Sequence, residues 1–184
     1  MSIRDLVQLI TPPDEVQNSG GRVQWRSIEE TIETAFPDDY FDLARTYGSG
    51  EFLNGTLEVL NPFDTRYGAL LDYECAKLRK YKQDFPEEMP YSVHPEVGGL
   101  LPFARDDNGN RFLWQTLGDP NAWPIVCKPH GFDACDWQIV HHTLGEFLGL
   151  LITSDLKIDK ARFWGEPFDN GDFVFVPQRP VADR

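Results

Sequence analysis

Cysteine is scarce in this chain of 184 residues, which holds only Cys75, Cys127 and Cys135. An odd count without paired spacing excludes a disulfide framework, so the fold must rest on its core. Positive charge is also short: 17 Lys and Arg face 30 Asp and Glu, a net charge of −13. Such a field repels phosphate backbones and excludes sequence-independent nucleic-acid binding. Long apolar runs are missing as well. The opening stretch Ile3, Leu6, Val7, Leu9, Ile10 is interrupted by Arg4, Asp5 and Gln8, too short for a bilayer and unlike a secretory leader. These absences predict a cytoplasmic protein with no membrane role, for which the sequon Asn54-Gly55-Thr56 has no consequence. There is no P-loop, no dinucleotide fingerprint, no internal repeat and no low-complexity segment.

Aromatic residues are plentiful, with 13 Phe, 5 Trp and 6 Tyr, and they predict a core built on ring packing. The length suits one domain. Acid is concentrated early: residues 1–60 carry 11 acids and 4 bases, a balance of −7.

Periodicity predicts an α+β order. A first helix is expected over residues 2–10, capped by Ser2, and a loop from Thr11 to Gly21. Trp25, Ile28, Ile32 and Phe36 then share one helical face. Ser27 and Glu30 are placed to form a capping box. Pro37 is expected to stop this helix, Asp38 to cap the next and Gly48 to end it. Asn54-Gly55 predicts a two-residue hairpin turn between Glu51–Leu53 and Thr56–Leu60. A long helix is expected from Thr65 to Phe85, with Lys77, Arg79, Lys80 and Lys82 compensating the dipole at its end. The irregular stretch 86–98 precedes the clearest hairpin, Leu100–Arg105 with Arg111–Leu117. Strands over Trp123–Cys127 and Asp136–His142 lead to a buried helix, Thr143–Ile152. In the tail, Arg162–Phe168 and Asp172–Val176 predict a hairpin around Asp169-Asn170-Gly171.

Residue types for chemistry occur, but without a convincing constellation. Cys127, His130, Cys135 and His141 or His142 have a spacing that resembles a zinc set. Alternation, however, sends Cys127 inward with Trp123, so a buried thiol with histidines partly exposed is the better reading. Cys135, His141 and Asp136 supply the types of a thiol triad, and ordinary packing explains each. His94-Pro95-Glu96 matches half of a deaminase signature whose Pro-Cys-x-x-Cys partner is missing. Gly48-Ser49-Gly50 is not a nucleophile elbow and reads as a helix stop. The adjacent acids Glu29-Glu30, Asp38-Asp39, Glu87-Glu88 and Asp106-Asp107 suit caps and turns better than acid/base couples. The expectation is no catalytic residue, no metal and no cofactor.

The order of the remaining motifs is more specific. Trp25-x-x-Ile28-Glu29, Phe36-Pro37-x-Asp39-Tyr40 and Tyr47-Gly48-x-Gly50 come first. Asn61-Pro62, Leu101-Pro102-Phe103-Ala104-x-Asp106-x-Asn108-Gly109 and Trp114 follow. Trp123-Pro124-Ile125-Val126 and Phe147-Leu148-x-x-Leu151 complete the series. Over residues 22–152 this order resembles the SUKH superfamily, named after fungal cell-wall-synthesis regulators of the Smi/Knr type. The resemblance implies a single α+β domain with helices packed on a curved, mostly antiparallel sheet. Trp25, Pro37, Gly48 and Trp114 would be fold determinants, and no catalytic residues carry over. It divides the chain into an N-terminal helix and loop (1–21), a SUKH-like core (22–153) and a C-terminal extension (154–184).

Many bacterial relatives resemble immunity proteins that bind and neutralise toxins of polymorphic or contact-dependent systems. The first functional expectation is therefore a non-catalytic protein that occludes a cognate toxin, with a basic nuclease among the candidate partners. The second is a regulatory or scaffold module on the same fold, and the third a small Cys/His metalloprotein or thiol hydrolase. The expected contact residues are Glu29, Glu30 and Glu33, Asp38 and Asp39, and Asp106 and Asp107. Sequence does not fix whether they meet in space, nor the oligomeric state.

Overall fold

The computed structural model describes residues 1–64, 70–131, 136–164 and 173–178. Its centre is a seven-stranded sheet in which every neighbouring pair is antiparallel, in the order β6-β5-β4-β3-β2-β1-β7. The strands are β1 (Gly50–Phe52), β2 (Leu57–Val59), β3 (Leu100–Asp106), β4 (Arg111–Gln115), β5 (Ile125–Lys128), β6 (Gln138–Val140) and β7 (Val176–Pro177). The helices are α1 (Ile3–Leu6), α2 (Arg22–Ile32), α3 (Asp38–Tyr47), α4 (Leu70–Asp84), α5 (Leu144–Ile152) and α6 (Lys160–Trp164), with a 3-10 turn at Pro120–Ala122. The chain is thus a single α+β domain, as the sequence predicts.

Strand alternation sorts the sheet into two unlike faces. One face points Phe52, Leu57, Val59, Leu101, Ala104, Phe112, Trp114, Ile125 and Cys127 at the helices α1, α2, α3 and α5. All nine are buried. Phe103 joins them because a bulge between Pro102 and Ala104 shifts the register, which also accommodates a proline in a central strand. Its ring stacks on Trp114 at 4.4 Å. Trp114 in turn meets Tyr40 at 5.1 Å, and Phe112 meets Phe147 of α5 at 5.3 Å. Trp25 is the hub on the helical side, edge-on to Phe36, Tyr40, Phe41 and Phe63 at 4.9–5.7 Å. Such edge contacts add about 1 kcal/mol each beyond area burial. Trp25 and Trp114, expected as fold determinants, both sit in this core.

The other face is mixed and is covered by α4: Leu100, Leu113 and Val126 are fully buried there, and charged side chains gather towards the hairpin end. Glu74 of α4 is buried, and its carboxylate takes Arg111 at 2.9 Å and Arg105 at 3.6 Å, with Lys77 at 3.8 Å. Arg105 also reaches Glu58 of β2 at 2.7 Å.

Several local expectations need correction. α2 begins at Arg22, not near Ser27, because the Gln24 side chain caps it by accepting the Gly21 N–H at 2.7 Å. Ser27 lies inside the helix, so no Ser27–Glu30 box forms. α2 also stops before Pro37: Glu33 adopts the left-handed conformation (φ 55°), and the Glu29 carboxylate accepts the Phe36 N–H at 3.0 Å. Pro37 itself is the residue preceding α3, and Asp38 is its first helical residue rather than its cap. Gly48 does end α3 at φ 69°; a Cβ there would lie 2.0 Å from the Gln17 carbonyl oxygen. The first helix is only one turn long, though Ser2 and Asp5 cap it reciprocally. The β1–β2 connection is longer than two residues: Leu53, Asn54 and Gly55 all take positive φ.

The tail departs most. Residues 160–164 are helical and Val176–Pro177 pair with β1; residues 165–172, the rest of the hairpin expected from Arg162 to Val176, lie outside the described residues. Phe175 packs between Tyr47 and Phe52 at 5.2 and 4.9 Å. Gly50 makes this possible, since a Cβ would meet the Phe175 ring at 2.2 Å.

Candidate protein-binding surface

The α2–α3 corner is held from both sides. The Asp38 N–H donates to Asn121 Oδ1 at 2.8 Å, while Asn121 Nδ2 donates back to Asp38 Oδ2 at 3.1 Å. Asp39 accepts the Gly145 N–H at 2.9 Å and so ties the start of α3 to the start of α5. Burial raises the Asp39 carboxyl above its ordinary range, against the lowering effect of the backbone N–H groups it accepts. Glu146 behaves oppositely. The Thr143 N–H it accepts and the terminal ammonium of Met1, 3.2 Å away, hold its carboxyl below the usual range.

Between α1, α3, α5 and the 3-10 turn lies a hollow of about 410 Å³. Pro37, Trp123, Asp38, Asp39, Asp42 and Glu146 are among its walls. Among the described residues no cation pairs with Asp38, Asp39 or Asp42. Two of these acids occupy the first turn of α3, where the helix dipole favours them. Asp42 was missing from the sequence-derived set, although it stands one turn on from Asp38 and Asp39, a spacing that marks one helical face.

The seven expected contact residues do not form one patch. Glu33 is exposed beside His94 and Arg79 in a second hollow of about 300 Å³, near the start of β3. Asp38 lies at this same end, because Asn121 belongs to the connection leaving β4. Asp106 and Asp107 stand at the other end of β3, about 20 Å away along seven residues of strand. Their roles also differ. Glu30, Glu33, Asp38 and Asp107 are exposed, whereas Glu29 is half-buried and spends one oxygen on Phe36. Asp106 is buried, accepting from the Asn110 backbone and side chain and from Trp164 Nε1 at 2.6–2.9 Å. It organises the hairpin turn from within.

Among the described residues, the side chains capable of chemistry have structural roles. Cys127 faces the aromatic core, and burial pushes its thiol up to about 12. Cys135 lies outside the described residues, and Asp136 pairs with Arg162. His94 is buried and its Nε2 donates to the Ile32 carbonyl at 2.8 Å, pinning α2 to the loop before β3. Ser49 is buried and accepts from Asn18 Nδ2 at 3.0 Å. The basic end of α4 is largely used internally: Arg79 donates to the His94 carbonyl, Lys82 to the Tyr91 carbonyl, and Lys80 pairs with Asp84. Among the described residues no group of three or more His, Cys, Asp and Glu is placed to hold a metal ion. No helix among them is long and apolar enough to cross a membrane.

The SUKH_6 family, described as SMI1-KNR4 cell-wall, matches residues 23–148. The chain belongs to that family. No curated protein and no solved structure matches it. The matched span runs from the start of α2 into α5 and so includes the aromatic face, the ion-paired face and the acidic corner. Membership supports a non-catalytic, protein-interaction role.

Proposed function

We propose that this protein acts as an immunity protein, neutralising a cognate toxin by covering its working surface. The observation that carries this reading is the acidic corner of α2 and α3. Glu30, Glu33, Asp38 and Asp42 are exposed there, with no described cation pairing with them. A toxin that acts on nucleic acid needs a cationic groove, and an anionic rigid body competes for that groove with a gain in association rate. Asp39 supports the corner from behind. Asp107 at the far hairpin tip is a separate, secondary contact, and Asp106 contributes only by shaping that tip.

Co-expression with the protein encoded beside it is the direct test: the neighbour should be toxic alone and harmless in company. Charge reversal at Glu33 and Asp38 should then slow association about tenfold at low salt while leaving dissociation nearly unchanged. Persisting toxicity in company would refute the reading. The family's cell-wall description favours a second reading, a regulatory module on the same fold. That reading expects no toxic neighbour, and the same pairing experiment separates the two.

A further inference from the structure

Among the described residues, Lys128 stands on the charged part of the α4 face without a counter-charge. Lys128 ends β5 and stands directly opposite Arg111 of β4 in the antiparallel register. Like charges in that position repel. Arg111 is relieved by Glu74, but Glu74 is already shared among Arg111, Arg105 and Lys77. Lys128 is half-buried, and its Nζ has neither an ion pair nor a hydrogen-bond acceptor among the described residues. What surrounds it is aromatic. Nζ lies 5.4 Å from the centre of the Tyr81 ring and 5.3 Å from that of Trp137, which stacks in turn on Tyr91 at 5.5 Å.

We propose that Lys128 is a modification site, a nucleophilic amine that takes an acyl group from an acyl thioester in preference to the other lysines. The neutral amine attacks the thioester carbonyl carbon; the new C–N bond forms, the C–S bond breaks, and the thiol leaves. The proton lost from nitrogen passes to the departing thiolate, so the step needs no further reactant. Two features favour it. An ammonium with three donors and no acceptor, facing Arg111, gives up its proton more readily than one in water, and its affinity for protons is lowered first by burial and then by Arg111. The Tyr81 and Trp137 rings also offer apolar contact to the incoming acyl group. Ring contact by itself favours the charged form; burial and the neighbouring guanidinium act in the opposite sense. The product amide carries no charge, which ends the repulsion across the β4–β5 pair.

The test treats the whole folded chain at pH 7.5 with a small acetyl thioester and follows each lysine by peptide mass spectrometry. Lys128 should be acetylated about tenfold faster than the exposed Lys80 and Lys157. Its rate should also reach half-maximum at a lower pH than theirs. The charged and titratable groups around it are Arg111 on β4 and Glu74 and Tyr81 on α4, with Glu88 held by the Tyr81 hydroxyl. In strong denaturant the preference should disappear. A Lys128 rate within twofold of Lys80 overturns the proposal, and so does a preference that survives unfolding, which would reflect only the local sequence. The outcome does not bear on toxin binding, because Lys128 lies on the sheet face away from the α2–α3 corner.

Discussion

The two faces of the sheet are assembled on different physics. Behind β3 and β4, towards α2, α3 and α5, rings meet rings: Trp25, Tyr40, Phe103, Trp114 and Phe147 touch in a continuous series. In front, towards α4, the same two strands present Arg105 and Arg111 to one buried carboxylate, Glu74. The first face depends on volume and tolerates loss badly. The second adds a charge balance to the burial of Leu113 and Val126, and that balance fails when one member is removed and the others stay. The acids proposed as contacts lie on or beside α2 and α3, so their corner is braced by aromatic packing while the ionic layer fastens the opposite helix.

This contrast is open to direct measurement by denaturant unfolding. Trp114→Ala should have the largest effect, about 4 kcal/mol, because it leaves a cavity among Phe103, Tyr40 and Trp123 that the sheet cannot close. Glu74→Ala should cost about 3 kcal/mol by leaving Arg111 without its carboxylate, while Arg105 keeps Glu58; Glu74→Gln with Arg111→Gln together should cost less than the sum of the two single changes. A paired change that costs the full sum of the two single ones would show that the two faces do not differ in kind. Tyr40→Phe should cost about 1 kcal/mol, since it removes a buried hydroxyl that donates to the Leu60 carbonyl but keeps the ring. Lys80→Ala, which breaks the exposed pair with Asp84, should fall within about 0.5 kcal/mol of the parent.

Asp39 sharpens the comparison through pH. Its folded carboxyl holds a proton more tightly than the ordinary value of 3.8. The native state therefore binds more protons than the unfolded chain across that window, and stability falls as pH rises through it. Asp39→Asn keeps an acceptor for Gly145 and should abolish that part of the slope. An unchanged stability–pH curve for the variant would mean that the carboxyl is not perturbed by folding.

Much of the aromatic side was legible in the sequence, because its signals are local. The β3–β4 hairpin is announced by alternation around Asp106–Asn110, and α5 by apolar spacing after Thr143, whose side chain indeed caps it with Glu146. The resemblance to the SUKH superfamily rests on the same local signals. Start and stop of α2 were not legible: Gly21 offers no side chain to mark a cap, and Glu33 bears a left-handed conformation more often given to glycine. The charged layer was hidden for a different reason. Arg105, Arg111, Glu58 and Glu74 are separated by up to 53 positions, and each alone resembles a solvated surface residue. The pairing of Val176 with Glu51 is more distant still, and nothing in either segment names the other. Of the acids chosen as contacts, Asp106 was misplaced because an Asx turn and an exposed tip have the same composition; its carboxylate faces Asn110 and Trp164.

The furrow on α5 has a practical meaning. Gly145 and Gly149 lack side chains where Met1 and Ile3 settle; a Cβ on Gly149 would lie 2.0 Å from the Met1 sulfur. Met1 and Ile3 fall before the matched span, and Phe175 with the β7 ribbon falls after it. What descent has kept recognisable is thus narrower than what closes up against water. A piece trimmed to 23–148 would lose the last turn of α5 and bare an unzipped edge along β1, and such a fragment should clump where the whole chain stays dispersed.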